Sequence, residues 1–236
     1  MAASRLSRIL TSKWLITLTG TLIGAFLALF LNEQVAIRKL NQQKAIASEN
    51  IMEEIKSNKE ELEKAIDYHE RVLAFLMFRF EYTNEEDLLI VPQDTMAAFQ
   101  LMYPDVITVT DSTFISEGIY QYKGEADASM SYSNINMTTV AWETLRDKEV
   151  ASTYPFKCLM ELEKLDKLTQ EVIQGNKELL MTFMTGAFSS DSQEEVEEDS
   201  MSQIIVPLRL LLQYEKLLLS FYEYALDEEN ILMDCM

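Results

Sequence analysis

The run Trp14–Leu31, WLITLTGTLIGAFLALFL, carries no charge, and nothing else in the chain restricts its fold as strongly. At 1.5 Å per residue a helix of this length spans roughly 27 Å, close to the hydrocarbon thickness of a bilayer. Arg5, Arg8 and Lys13 precede the run, with no acidic residue among them. The first small-x-small sequence downstream, Ala45-Ile46-Ala47, is remote, and no Gly or Pro interrupts Asn32, Glu33 and Gln34. This pattern predicts an uncleaved signal anchor rather than a removed peptide. Further basic residues, Arg38, Lys39 and Lys44, stand further from the apolar core. The short basic tail predicts a cytoplasmic N-terminus with the domain on the other side, which in a bacterium is the periplasm. The expected organisation is a tail over 1–13, a transmembrane anchor over 14–31 and an acidic helical domain over 32–236, beginning with a juxtamembrane stalk over 32–50.

Within the anchor, Gly20, Gly24 and Ala28 recur every fourth residue and include a GxxxG, GTLIG. Small residues on one face let two helix backbones approach closely and gain packing that lipid cannot supply. These three residues are the expected helix-association site, for a second copy or for a partner protein's helix. Self-association is expected to depend on this anchor and not on the domain. Thr17, Thr19 and Thr21 are expected to bond back to backbone carbonyls.

The formal charge is −19; Arg5, Arg8 and Lys13 contribute +3, so the rest of the chain carries −22. Phosphate neutralisation needs a basic face, which argues against nucleic acid as a partner. Adhesion of the domain to anionic lipid is disfavoured for the same reason. Six glycines and four prolines are few for a turn-rich β fold. The fold class expected is mainly α: one N-terminal transmembrane helix, then a long helix leading into a helical bundle. Cys158 and Cys235 can pair in an oxidising compartment; two free thiols is the simpler reading, and two cysteines exclude a disulfide scaffold.

Residues 32–81 contain no Gly or Pro and read as one long helix, broken once at most. Ile51, Ile55, Leu62, Ala65, Val72 and Leu76 recur at close to alternating steps of three and four, with Asn58 and His69 in the same seam. Towards the anchor that seam turns polar, at Asn41, Lys44 and Ser48, as a solvated stalk would. Residues 82–136 are irregular. A helix is expected over MAAFQLMY, and residues 106–110, VITVT, alternate like a strand without an evident partner, so short helices and ordered loops are expected there. Asn136 reads as the N-cap of a helix over 138–148. Pro155 opens a further helix with Leu159, Leu162, Leu165, Leu168, Val172, Leu179 and Phe183 inward, and Gly175 marks a kink or a close contact. Residues 189–200, SSDSQEEVEEDS, read as a mobile acidic loop. The last helix, from about Met201 to Met233, should fill the bundle centre with Leu208, Leu211, Leu212, Leu218, Leu219, Tyr222 and Leu226, while Arg209, Glu215, Lys216 and Glu223 exclude a second span.

No pattern that carries chemistry emerges. Carboxylate-bridged di-iron needs two Glu-x-x-His motifs; the single histidine, His69, has Ile66 three residues before it. One His and two remote Cys do not make a zinc site. His69 is expected to bond a carboxylate such as Glu70 or an acid on another helix. Phosphate loops, nucleophile elbows and calcium loops are missing, and carboxylate pairs are too common here to signify a glycosidase. No catalytic residue, cofactor or metal is assigned.

LIGAFLALFLNEQ (22–34), NIMEEIKSNKEELEKAI (50–66) and the later Thr139, Ala141, Trp142, Glu143 and Leu145 resemble a family of bacterial signal-anchored helical membrane proteins known only as a domain of unknown function. Gln34 stands where that family often has tryptophan. The resemblance implies the topology and assigns no activity. The function expected is a non-enzymatic, membrane-anchored scaffold or interaction protein, such as an accessory subunit of an envelope complex. The alternatives are an envelope ligand sensor and an unrecognised carboxylate-based hydrolase.

Overall fold

The computed structural model describes residues 13–84, 88–126, 135–146, 149–188 and 197–227. The chain is mainly helical and begins with one long apolar helix. α1, Lys13–Tyr82, runs 70 residues without a break. The stretch expected to be one long helix is unbroken, because Ala, Glu, Lys, Leu and Ile fill it and neither Gly nor Pro occurs after Gly24. Its first part is long and apolar enough to cross a membrane, and none of that window is buried. Trp14, Leu22, Phe26 and Leu29 are all exposed, whereas a core helix of a soluble domain would hide them. Thr21 Oγ1 donates to Thr17 O at 2.8 Å, the back-bond expected of a threonine in an apolar helix.

β1 (Leu89–Pro92), α2 (Gln93–Met102), β2 (Ile107–Ser116) and β3 (Ile119–Ala126) follow. The three strands form an antiparallel sheet in the order β1-β3-β2. The helix expected over MAAFQLMY is present as α2, whereas the sheet corrects the expectation of only short helices and ordered loops, since VITVT finds its partner in β3. β2 is exposed along nearly all its length, so ITVTDSTFIS shows no sustained apolar alternation after Val109. Glu117-Gly118 makes the two-residue connection to β3, with Gly118 at φ +74°, a conformation glycine adopts without strain. The sheet closes a small core of Phe78, Val91, Met96, Phe99, Val106 and Ile107 at the far end of α1. Phe78 and Phe99 stack there with centroids 4.1 Å apart.

α3 (Val140–Arg146), a 3₁₀ turn (Glu149–Thr153), α4 (Phe156–Phe188) and α5 (Glu197–Leu226) complete the chain. α3 is not capped by Asn136 as expected. Glu54 of α1 reaches across, its Oε2 accepting Ala141 N–H at 2.9 Å and Thr138 O–H at 3.0 Å. A carboxylate at a helix N-terminus satisfies free N–H groups and meets the positive end of the dipole. α5 pairs antiparallel with both α1 and α4. Its Leu208, Leu211, Leu212, Leu218 and Tyr222 meet Ile51, Ile55, Leu62, Val72, Leu162, Val172 and Leu179 in the main core. Gly175 marks a close contact: a Cβ there would stand 3.1 Å from Leu211 Cδ1. α5 starts at Glu197, inside the stretch expected to be an acidic loop; the remainder of that expectation, 189–196, lies outside the described residues.

The stalk is shorter than expected. Ser48 is buried, and Leu40 and Ala47 pack against the main core. Tyr154 O–H donates to Lys44 O at 3.1 Å, leaving its oxygen to accept from Ser48 Oγ at 2.7 Å. Lys44 Nζ lies 4.7 Å from the centroid of the same ring. Of the polar residues expected to be solvated, Lys44 and Ser48 thus belong to the lower end of the bundle, while Asn41 is exposed. Cys158, at the start of α4, is disulfide-bonded and 2% exposed, against the two-thiol reading. The chain's other cysteine, Cys235, lies outside the described residues.

Candidate functional site

Three places hold the polar or open features from which a function could be built. The first is the bundle interior. Asn58 is buried and clamps the backbone at Thr138, its Nδ2 donating to Thr138 O at 2.7 Å and its Oδ1 accepting Thr138 N–H at 3.0 Å. Beside it Thr169 donates to Leu165 O at 2.8 Å, so its oxygen accepts from Tyr222 O–H, also at 2.8 Å. Burial pushes the Tyr222 hydroxyl up to about 12, which keeps it a neutral donor. Burial also raises the Asp166 carboxyl above its ordinary value, against the opposing charge of Arg146. Asp166 Oδ1 and Trp142 Nε1 have no hydrogen-bond partner among the described residues.

One level further from the anchor is His69. Its Nδ1 lies 2.9 and 3.0 Å from the two Glu215 oxygens. The sequence reading expected a carboxylate partner and the structure selects the acid of another helix; Glu70 instead pairs with Lys216 on the surface at 2.6 Å. A carboxylate can only accept, so Nδ1 carries the hydrogen. His69 and Glu215 are 1% and 0% exposed, and His69 Nε2 has no partner. Substrate cannot reach a pair so enclosed. Its chemistry is that of a buried hydrogen-bonded tie between α1 and α5. Among the described residues no group of three His, Cys, Asp or Glu side chains is placed to hold a metal ion.

The second place is open space around the bundle. A cleft of about 430 Å³ lies where α1 meets the sheet, with Phe75, Phe78 and Tyr122 as apolar walls and Arg79, Thr83 and Lys123 as polar groups. A larger groove of about 580 Å³ lies between α1 and α3, where Ile46, Val140 and Leu145 stand beside Asn50, Glu53 and Thr144. Both have the volume and the mixed lining of a small-molecule site.

The third is the outer surface of two helices. The residues expected to associate, Gly20, Gly24 and Ala28, sit on the exposed part of α1, and a Cβ at either glycine would meet nothing within 4 Å. The other surface was missed in the sequence. On α5, Val206, Leu210, Tyr214, Leu217 and Phe221 are 66%, 53%, 41%, 48% and 37% exposed. Their spacing of four, four, three and four was legible. It was masked by the stronger inward face of the same helix, to which the apolar character was wholly assigned. No family model, curated protein or solved structure matches the chain, so the arrangement rests on its own geometry.

Proposed function

We propose that this protein is a non-enzymatic scaffold that holds an acidic helical domain at a fixed height above a membrane. The observation that carries this reading is α1: a single unbroken helix joins an exposed apolar segment to the bundle. A helix without a hinge transmits position and orientation, which a flexible tether does not. The domain belongs on the non-cytoplasmic side, in a bacterium the periplasm, with the N-terminus inside. The basic flank supports that orientation. So does the disulfide at Cys158, since such bonds persist in oxidising compartments. The Gly20, Gly24 and Ala28 face of the anchor is the surface offered to a partner's membrane helix, as in an accessory subunit of an envelope complex. No cofactor or metal is part of this reading.

Protease added to intact spheroplasts tests the placement. The expected result is digestion of the domain before lysis. A domain protected until the membrane is broken has the opposite orientation.

The cleft between α1 and the sheet favours one second reading, a ligand sensor whose site sits at the membrane-distal end of the rigid helix.

A further inference from the structure

α5 has two apolar faces, and among the described residues only one is packed against other elements. The inner face, Leu208, Leu211, Leu218 and Tyr222, is buried against α1 and α4. The outer stripe, Val206, Leu210, Tyr214, Leu217 and Phe221, is exposed, with Tyr224 beyond it at 50%. A helix that is apolar on both sides is ordinarily buried on both sides. The stripe is also free of charge in a chain of −19. Between Arg209 and Glu223 the charges of α5 are Glu215, buried against His69, and Lys216, turned to Glu70. Arg209 likewise turns to α1, donating to Met77 Sδ at 3.4 Å.

Lipid does not cover this stripe. The contacts Glu70–Lys216 and Met77–Arg209 set α5 antiparallel beside the distal part of α1. At 1.5 Å per residue along α1, the stripe stands roughly 40–70 Å beyond Leu31.

We infer that α5 is a homodimer surface, on which two copies pair through the outer stripes of their α5 helices, parallel and in register. The register rests on the membrane-anchored reading. Copies that share a membrane carry α5 at one height and in one direction, so a two-fold axis along the membrane normal brings Leu217 to Leu217 and Phe221 to Phe221. From Leu210 the stripe continues in steps of four, three and four, the spacing of a seam between parallel helices. The flanking Gln213 and Ser220 place no like charges against each other. Large side chains exposing about half of their area offer roughly 500 Å² per copy. A pair then buries roughly 1,000 Å², where specific interfaces begin. In this dimer each α1 lies behind its own α5. With helices packed about 8–10 Å apart, the two anchors stand roughly 20–30 Å from each other and their glycine faces do not meet.

The test uses the full chain in its membrane, with two differently tagged copies co-expressed and a photoreactive benzoylphenylalanine at Gln213. The expected product is an adduct of dimer mass carrying both tags. Leu217→Glu should reduce it about tenfold or more, because it buries an unpaired carboxylate in the seam. Unchanged helical content and thermal midpoint would show that Leu217→Glu still folds. Gly24→Ile should leave the adduct unchanged. Absence of the doubly tagged adduct overturns the inference, as does an adduct to a different protein. So does a dimer lost with Gly24→Ile but kept with Leu217→Glu, which would place association in the anchor. Because the protease experiment reads only orientation, a failed dimer and a failed topology remain distinguishable.

Discussion

Glu215 shows how a residue's meaning changes with its neighbours. In the sequence it is one of several charges that rule out a second span; in the fold it is the 0% exposed partner of His69. Removing one member of a buried hydrogen-bonded pair leaves the other polar group unsatisfied, whereas replacing both with apolar groups removes the desolvation penalty as well. His69→Leu and Glu215→Leu should therefore each destabilise the domain by about 1–3 kcal/mol, while the double variant should be near neutral. Urea unfolding of the four proteins reads the cycle; additive losses would show that the pair is not coupled. Asp166 gives a pH-dependent case. Its folded carboxyl, raised by burial, holds a proton more tightly than the unfolded one. Its ionisation therefore opposes folding above the raised value, and that penalty vanishes once pH falls below the ordinary carboxylate value. Asp166→Asn is expected to raise the unfolding midpoint at pH 7 and to leave it unchanged near about pH 3. A lower midpoint at pH 7 would mean that the carboxylate is stabilising.

Among the elements, α5 carries the sharpest contrast, between adjacent leucines. Leu218 is 0% exposed and Leu217 is 48% exposed. Leu218→Ala should cost about 2–5 kcal/mol, as large-to-small changes in a packed core do. Leu217→Ala should change the unfolding free energy of the domain far less and act on pairing instead. Equal losses in monomeric protein would refute this assignment of faces. Helix periodicity made the inner face legible, along with the seam of α1 and the start of α4 after Pro155. It did not reveal the sheet, because β2 is polar and exposed and its pairing with β1 and β3 is non-local. Nor did it reveal the cap of α3, where Asn136 is the local candidate and Glu54, more than eighty residues earlier, performs the role.

Taken as a whole molecule, the chain is a rod with a bundle along its upper part and a small sheet at its tip. Local chemistry was enough to establish the rod. An uncharged run marks a helix long and apolar enough to cross a membrane, and a stretch without Gly or Pro continues it as helix, since both properties act through neighbouring residues. The mainly helical class and the buried stripe of the last helix followed from the same local periodicity. What only the tertiary structure decided involves residues far apart in the chain. Ser48 and Lys44 became part of the bundle because Tyr154 reaches them. His69 was assigned its acid by the docking of α5. The outer face of α5 became a surface only once α1 and α4 had covered the other side. Periodicity shows that a helix has apolar faces; which face is left for a partner depends on what the rest of the chain has already buried.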